Sequence, residues 1–260
     1  MSDISPNAFI HPNAKIGKDV KIEPFSYIDD NTEIGDGTYI MSNANIRYGA
    51  RIGKNCTIFP GAVIAGVPQD LKFIGEDSLA VIGNNTTIRE CVTISRGTSS
   101  KGTTIVGDNC LLMAYSHVAH DCIIKNHVIL GNSTQLAGEV EVEDYAILSG
   151  GTLVHQFTRI GQHVMVQGGT RLGKDIPPFI IAGREPVSYA GINLVGLRRR
   201  GYTNEQINQI QEAYRLIYQS GYNFSDAIAK IEQEFTKTPE VDLIVNFVKS
   251  SPRGIVRGYM

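Results

Sequence analysis

Isoleucine, leucine and valine recur at every sixth position along most of the chain. From Ile4 the series runs without a gap to Ile64, resumes over residues 82–94 and continues from Val106 to Leu172. The fourth residue after an apolar position is often small or β-branched, as at Val20, Thr32, Thr38, Ala50, Ala62, Thr86, Val128, Thr134, Ala146 and Thr152. A period of six fits neither an α-helix nor a single amphipathic strand.

The six-residue period predicts a parallel β-helix of hexapeptide repeats. Each hexad supplies one short strand and one turn, and three hexads, eighteen residues, complete one triangular coil. The apolar residue points into the prism, and the small residue packs beside it where a bulky group would not fit. Each coil buries its apolar surface only against its neighbours, as in other solenoids. We therefore predict a mainly β fold over residues 1–190.

Two segments interrupt the repeats, and a helical pattern follows them. The interruptions fall at residues 65–80 and 97–104, and loops on a rigid scaffold often carry function. From about Gly191 onward, apolar residues are spaced three and four apart, which predicts helices. Thr203 and Gln206 form a capping-box pattern, and Pro239 suits a first helical position. We expect a C-terminal α-helical domain over residues 191–260 that covers one end of the prism.

Composition narrows the classes of function. The 260 residues include 24 Lys and Arg against 26 Asp and Glu, and this balance argues against a nucleic-acid-binding protein. Residues 1–10 contain no basic segment and no apolar run, and no later stretch has the length of a membrane span. We expect a cytoplasmic protein without membrane insertion. Its four cysteines are expected to be small buried side chains rather than disulfide partners or metal ligands.

The eighteen-residue coil places candidate catalytic residues in vertical columns. His120, Gly138 and Gln156 differ by eighteen, so they stack at the strand spacing of about 4.8 Å. Asp121 adds a carboxylate beside His120, and Gly138 offers a backbone N–H that no side chain obstructs. A base, an orienting acid and an amide donor are what acyl transfer to a hydroxyl requires. Spacing alone leaves open that these are solvated turn residues.

Histidine spacing argues against a metal site. His127 and His163 share a column two coils apart, a separation of about 10 Å that a single ion cannot bridge. His117 and His120 lie close in sequence, but a metal there would need a third ligand. We therefore expect no metal.

The motifs closely resemble those of the acyl carrier protein–UDP-N-acetylglucosamine O-acyltransferases, the family that begins lipid A synthesis. The resemblance spans nearly the whole chain. It rests on the Gln-Asp-Leu-Lys segment and on five others, at residues 69–72, 88–98, 117–122, 155–157, 177–178 and 196–201. It also implies that the β-helix is left-handed, contrary to the usual handedness of parallel connections.

The resemblance implies transfer of a (R)-3-hydroxyacyl chain from acyl carrier protein to the 3-hydroxyl of UDP-N-acetylglucosamine. It makes His120 the general base, Asp121 its orienting partner and the Gly138 N–H the oxyanion donor. No cofactor is implied, because the carrier-protein thioester is itself the donor. The positions that hold the nucleotide sugar or the acyl donor in the family match Asp70, Lys72, His117, His155, Gln156, Asn193, Arg199 and Arg200.

The length of the acyl chain and the assembly also follow from the resemblance. Gly168 matches the residue that sets chain length in the family, and Gly150 shares its column, which favours a long chain unless both serve only tight corners. The family implies a homotrimer with active sites between subunits.

Several alternatives stay open at this point. Glu139 and Val195 depart from the residues that the family often has there, so the sugar is either N-acetylglucosamine or a 3-amino analogue. Two other functions are an acetyltransferase that uses acetyl-coenzyme A and a trimeric scaffold without catalysis.

Overall fold

A computed structural model describes residues 2–258, in which 28 short strands precede four helices. Up to strand Arg171–Leu172, successive strands lie on successive faces of a triangular prism, so every third strand joins the same sheet. All strand pairs are parallel except the last, in which Ile180–Gly183 pairs with Ser188–Ile192. The predicted parallel β-helix followed by helices is therefore confirmed.

Each of the three sheets forms one face of the prism. Sheet A contains Asp3–Ile4, Lys21–Ile22, Tyr39–Ile40, Thr57–Ile58, Thr87–Ile88, Leu111–Leu112, Ile129–Leu130, Ile147–Leu148, Met165–Val166, Ile180–Gly183 and Ser188–Ile192. Sheet B contains Phe9–Ile10, Tyr27–Ile28, Asn45–Ile46, Val63–Gly66, Thr93–Ser95, His117–Val118, Gln135–Leu136, Leu153–Val154 and Arg171–Leu172. Sheet C contains Lys15–Ile16, Glu33–Ile34, Ala50–Ile52, Leu79–Ile82, Thr103–Val106, Ile123–Ile124, Glu141–Val142 and Arg159–Ile160.

The register of the sheets follows the eighteen-residue coil wherever the repeats are uninterrupted. Val118 pairs with Leu136, and Leu136 pairs with Val154. Two coils are longer, because Ile64 pairs with Ile94 and Ile94 with Val118. The extra residues leave the prism, and the register beside them shifts only between Ile64 and Gly66 of the first longer coil.

The interior is filled by the apolar hexad positions, as the sequence predicts. Ile28, Ile46 and Ile64 stack in sheet B with no solvent exposure. The small residues beside the apolar column are buried as well, and several of their hydroxyls donate to backbone carbonyls. The Thr38 hydroxyl, for example, donates to the Gly53 carbonyl at 2.8 Å.

The cysteines are free, but the expectation that all four are buried is wrong for one of them. Cys56, Cys110 and Cys122 occupy the small inward position and are buried. Cys91 lies one residue earlier in its hexad, at a corner with φ of 55°, and its side chain is exposed.

The two irregular segments are shorter than the sequence indicates, because neighbouring strands extend into them. Strands Val63–Gly66 and Leu79–Ile82 leave residues 67–78 outside the sheets, a segment called here the Asp70 loop. Strands Thr93–Ser95 and Thr103–Val106 leave residues 96–102, the Thr98 loop. Both loops leave the prism at the corner between sheets B and C, one coil apart.

Helices Leu194–Arg199, Asn204–Gln219, Phe224–Glu234 and Pro239–Lys249 follow the sheets. The capping box of Thr203 and Gln206 is present, and Pro239 is the first residue of its helix. The Tyr214 hydroxyl, fully buried, donates to the Pro178 carbonyl at 2.5 Å. A single apolar core therefore continues from the coils into the helices. Across residues 2–258, every helix is too short or too polar to traverse a lipid bilayer.

Candidate active site

The corner between sheets B and C carries the candidate site on consecutive coils. The Asp70 loop leaves the prism there, the Thr98 loop follows one coil later and His120 lies on the coil after that. An open cleft of about 770 Å³ runs along this corner, with Gln69, His120, Gly138 and Gln156 among its lining residues. The fold thus brings the Asp70 loop and the predicted column of His120, Gly138 and Gln156 to one surface.

His120 and Asp121 form a hydrogen-bonded pair that is shielded from solvent. His120 Nδ1 lies 2.8 Å from Asp121 Oδ2, with the histidine 8% exposed and the aspartate 0% exposed. Because a carboxylate only accepts hydrogen bonds, Nδ1 carries the proton and Nε2 of the neutral ring is left as the acceptor. Nε2 lies 3.8 Å from Asp70 Oδ2. This tautomer is the one in which Nε2 can remove a proton from a hydroxyl.

Hydrogen bonds keep the buried Asp121 carboxylate ionised. Burial raises the pKa of this carboxyl, but its hydrogen bonds outweigh burial, so the pKa lies below its ordinary value. The Thr98 hydroxyl donates to Oδ2 at 2.6 Å, and the Thr98 N–H donates to Oδ1 at 3.0 Å. The Lys101 N–H donates to Oδ1 at 3.2 Å. An ionised Asp121 both orients His120 and stabilises the imidazolium that forms when Nε2 accepts a proton.

Gly138 lies against the imidazole on the next coil. A Cβ at this position would lie 2.6 Å from both Cε1 and Nε2 of His120, so a side chain does not fit there. The coils are held in register by the Glu139 N–H, which donates to the His120 carbonyl at 3.0 Å. The Gly138 N–H itself donates no hydrogen bond within residues 2–258. The structure therefore places an imidazole and an unpaired amide N–H as neighbours.

Outward-facing side chains of sheet B form the floor of the cleft. His117, Gln135, Leu153 and Arg171 lie on successive coils and line it. Burial lowers the pKa of His117, whose Nδ1 lies 2.7 Å from the Thr93 hydroxyl. Sequence analysis named only His117 of these four. The other three follow His117 at successive steps of eighteen residues, and this spacing is the signal that could have identified them.

The remaining candidates at this corner differ in how they meet the cleft. His155 and Gln156 line it one coil beyond Gly138, and His155 Nδ1 lies 2.9 Å from the Gln156 carbonyl oxygen. Asp70 reaches the cleft through its contact with His120, and its other oxygen accepts from the Lys72 N–H at 2.9 Å. The Lys72 side chain is exposed on the same loop and lies outside the cleft lining.

Asn193 and Arg199 lie at a different corner, between sheets C and A, and do not meet His120 within this chain. Asn193 is buried, its Oδ1 accepts from the Gly196 N–H at 3.1 Å and its Nδ2 donates to the His163 carbonyl at 2.9 Å. Arg199, in contrast to Asn193, is exposed. Asn193 thus fixes helix Leu194–Arg199 to the prism, with Arg199 at the end of that helix.

Arg200 is held at the same corner by contacts to the prism and to its own helix. Its guanidinium lies 5.1 Å from the centre of the Tyr145 ring. It donates to the Gly196 carbonyl at 3.2 Å and to the Tyr145 carbonyl at 3.3 Å. Gly168 lies at the third corner, between sheets A and B, where it is exposed and a Cβ would lie 3.2 Å from the Gly150 carbonyl oxygen.

A column of stacked rings supports the corner that carries Arg200. His127 stacks on Tyr145 with centroids 4.5 Å apart, Tyr145 on His163 at 5.0 Å and His163 on Phe179 at 5.7 Å. The pKa of His163 is lowered to about 4, chiefly by burial and further by Arg200. Since Tyr145 separates the two histidines, they hold no common ion. Within residues 2–258, no three His, Cys, Asp or Glu side chains cluster in a way that could hold a metal.

Comparison with family models matches the two parts of the chain separately. Residues 175–256 match the second domain of UDP-N-acetylglucosamine O-acyltransferase. Residues 103–138 match the bacterial transferase hexapeptide repeats, and residues 4–98 match the GMPPB C-terminal domain.

Full-length relatives agree with these matches. The acyl-[acyl-carrier-protein]–UDP-N-acetylglucosamine O-acyltransferase of Pseudomonas putida is 43% identical over 99% of this chain and 100% of its own length. The enzyme of that name from Thermodesulfovibrio yellowstonii is also 43% identical over the same shares.

Solved structures of similar proteins cover the coils and the helices together. A UDP-N-acetylglucosamine acyltransferase from Bacteroides fragilis is 61% identical, with a TM-score of 0.96 over 97% of this chain and 99% of that one. One from Francisella novicida is 39% identical, with a TM-score of 0.95 over 98% and 94%. This agreement supports a left-handed parallel β-helix with a C-terminal helical part. The chain belongs to the acyl-[acyl-carrier-protein]–UDP-N-acetylglucosamine O-acyltransferase family.

Proposed function

We propose that the chain transfers a (R)-3-hydroxyacyl group from acyl carrier protein to the 3-hydroxyl of UDP-N-acetylglucosamine, the first step of lipid A biosynthesis. The activity follows from membership of the family. The observation that carries the chemistry is the position of His120, with Nδ1 on Asp121 and with Gly138 on the adjacent coil. The donor thioester supplies the acyl group, so the proposed reaction uses no cofactor or metal.

The proposed reaction begins with His120 Nε2, which removes the proton of the sugar 3-hydroxyl. The sugar oxygen attacks the thioester carbonyl, and the tetrahedral oxyanion accepts a hydrogen bond from the Gly138 N–H. The intermediate then expels the thiolate of the carrier protein, which takes the proton back from the His120 imidazolium. Asp121 stays ionised throughout and stabilises the charge on the ring.

Binding roles are assigned to the residues around this pair. Asp70 is suited to accept a hydrogen bond from a substrate hydroxyl beside Nε2, since its Oδ2 lies 3.8 Å from that atom. His117, His155 and Gln156 line the cleft and offer polar contacts to the sugar or the donor. Lys72 is exposed on the Asp70 loop, where it suits contact with the phosphates or with the acidic carrier protein.

A homotrimer brings the remaining candidates to the site. Asn193, Arg199 and Arg200 lie at the corner between sheets C and A, and Gly168 lies at the corner between sheets A and B. In a three-fold assembly of parallel prisms, different corners of neighbouring copies meet, so these residues join the cleft of an adjacent subunit. Arg199 is then available for the pyrophosphate of the nucleotide, and Gly168 leaves room for a long acyl chain. No part of this proposal requires a membrane or a nucleic acid, and we place the reaction in the cytoplasm.

The test is a donor comparison with mass analysis of the product. Purified protein is incubated with UDP-N-acetylglucosamine and either (R)-3-hydroxyacyl carrier protein or acetyl-coenzyme A. We expect an O-acylated sugar nucleotide from the carrier-protein donor alone, and loss of product in His120→Gln. Acetylation from acetyl-coenzyme A would favour an acetyltransferase, and absence of any transfer would favour a scaffold. A parallel reaction with the 3-amino sugar nucleotide distinguishes the two acceptors.

A further inference from the structure

We propose that Thr98 is a positioning residue of this reaction, which sets the orientation and basicity of His120 through the Asp121 carboxylate. The inference rests on the proposed role of His120 and extends the machinery to the Thr98 loop, residues 96–102. Sequence analysis identifies residues 97–104 only as an interruption of the repeats. In the structure, donors of this loop surround the buried carboxylate of Asp121.

The geometry of the Thr98 loop is organised around Asp121. Thr98 is 5% exposed and contacts both carboxylate oxygens, through its hydroxyl at 2.6 Å and its N–H at 3.0 Å and 3.2 Å. The Lys101 N–H completes the set of loop donors at 3.2 Å. The Thr98 hydroxyl accepts from the Ser100 N–H at 3.2 Å, which directs its own proton to Asp121.

The Thr98 hydroxyl and His120 share one acceptor atom. Both the Thr98 hydroxyl and His120 Nδ1 donate to Oδ2 of Asp121. The hydroxyl dipole therefore stabilises the carboxylate and opposes positive charge on the ring. Without this dipole, Asp121 favours the imidazolium more strongly, and the carboxylate has one contact fewer to hold its plane. The Thr98 hydroxyl thus changes the basicity of His120 through Asp121, without contacting the ring itself.

The Thr98 loop is itself tied to the loop that faces the other ring nitrogen. Glu76 of the Asp70 loop accepts from the Ser99 N–H at 2.8 Å and from the Ile74 N–H at 2.9 Å. Hydrogen bonds to backbone N–H groups hold the pKa of Glu76 below its ordinary value. The two loops therefore form one connected unit, with Thr98 on the Nδ1 side of His120 and Asp70 on the Nε2 side.

Other charged groups near the pair stay the same when Thr98 is changed. Asp70 faces Nε2, and His117 lies close enough for the charge of His120 to lower its pKa. The Lys101 ammonium lies 3.5 Å from Glu141, and Glu139 follows Gly138 on the next coil. A difference in the titration of His120 between the Thr98 variants is therefore caused by the loss of the Thr98 hydroxyl.

The test compares Thr98→Val, which removes the hydroxyl at nearly constant volume, with Thr98→Ser, which keeps it. For Thr98→Val we expect kcat to fall by about ten- to a hundredfold, because a carboxylate with one contact fewer no longer holds the imidazole in its productive orientation. KM for the nucleotide sugar should stay within about twofold, since Thr98 binds no substrate. The acidic limb of the kcat/KM profile should move to higher pH. Thr98→Ser should restore both properties, and Ser100→Ala, an exposed hydroxyl in the same loop, should behave as wild type.

A second measurement separates this inference from the proposed function. The His120 ring is titrated by NMR without substrate, and its resonance is assigned by its absence in His120→Gln. We expect a higher His120 pKa in Thr98→Val than in wild type or Thr98→Ser, whether or not the donor and acceptor have been correctly identified. An unchanged titration in a folded Thr98→Val protein would overturn the inference, as would a Thr98→Ser variant as impaired as Thr98→Val. Failure of the proposed function alone would show as wild-type protein without transfer.

Discussion

At the residue scale, the site depends on how a buried charge is satisfied. A carboxylate removed from water is costly unless hydrogen bonds replace its hydration. The Asp121 carboxylate receives one hydrogen bond from His120, three from Thr98, whose N–H is shared between both oxygens, and one from Lys101. The cost of burial is thereby offset in the ionised state, which is the state that orients a histidine.

Gly138→Ala tests the close approach of the next coil to His120. The new Cβ would lie 2.6 Å from two ring atoms, so the imidazole cannot keep its present position beside Asp121. We expect kcat to fall by about a hundredfold or more, because misplaced catalytic groups lose the advantage of orientation. The measurement is steady-state transfer, with circular dichroism to verify the fold. Gly66→Ala, where the Cβ would meet its nearest atom at 3.6 Å, is the control and should keep its activity.

Gly168→Met tests whether a missing side chain sets the length of the acyl group. The residue is exposed at its corner, and a Met side chain there projects into the space that we assign to the end of the chain. We expect the preference to move to shorter donors, by about tenfold in relative kcat/KM for each blocked methylene. A competition between carrier-protein donors of different lengths measures this. Unchanged selectivity would mean that Gly168 serves only its corner.

How much of the site could be predicted depends on where each residue lies relative to the repeat. His120 and Gly138 are both on the six-residue pattern, so their contact follows from a spacing of eighteen. Arg171 follows from His117 in the same way, although it was not named. Thr98 could not be found by spacing, because its loop leaves the pattern. Its path is set by tertiary hydrogen bonds to Asp121 and Glu76.

At the scale of elements, the six-residue period predicted nearly all strands because each depends on one inward apolar residue. The ends of strands beside the two loops were not predicted. Beside the loops, strand Leu79–Ile82 pairs with strand Thr103–Val106 along its whole length. The residues that lengthen these two strands are fixed by this pairing and not by the six-residue pattern. The helices beyond Thr203 were predicted through their caps and apolar faces, whereas the short helix Leu194–Arg199 was not predicted. The stacked column of His127, Tyr145 and His163 also follows from the coil length, although the intervening Tyr145 was not considered.

His163→Phe tests the stacked column through the pH dependence of stability. The folded-state pKa of about 4 lies below the ordinary histidine value, so between these values the unfolded chain binds a proton that the folded chain does not. Acidification through this window therefore lowers the free energy of unfolding. In His163→Phe we expect the loss at pH 4 to be smaller by about 2–3 kcal/mol, close to the full shift because the ring is buried.

Denaturant unfolding of wild type and His163→Phe between about pH 7 and pH 4 measures this difference. A phenyl ring preserves the stack on Tyr145 and Phe179 but removes the partner of the Tyr202 hydroxyl, 3.1 Å from His163 Nε2, so we expect the variant to be less stable at neutral pH by about 1 kcal/mol. His117, whose pKa is also lowered by burial, remains in the variant and keeps part of the slope. Equal slopes in the two proteins would contradict the assignment of the shift to His163.

At the scale of the whole molecule, the candidate residues are divided between corners of the prism. The catalytic pair lies between sheets B and C, whereas Arg199 follows the corner between sheets C and A. On the proposed mechanism, one copy carries two parts of the site on different edges. We expect light scattering of the purified protein to give the mass of three chains.

Mixed trimers test whether one site uses two subunits. His120→Gln and Arg199→Ala are each expected to be nearly inactive. When they are produced together with different tags and purified through both, every mixed trimer contains one interface with both residues intact. We expect about a third of the wild-type activity to return if each active site combines His120 of one copy with Arg199 of the next. Mixtures that stay inactive would place both residues in the same subunit's site.

The two longer coils have a consequence for how such a protein can diversify. Ile64 pairs with Ile94, and Ile94 with Val118, so the added residues are absorbed outside the prism and the paired backbone keeps its spacing. Lengthening or shortening either loop away from its contacts to Asp121 and His120 would leave the paired coils that carry His120 and Gly138 unchanged. Acceptor and donor preference can thus change through insertions and deletions at one edge, while the backbone that carries the reacting groups is inherited unaltered.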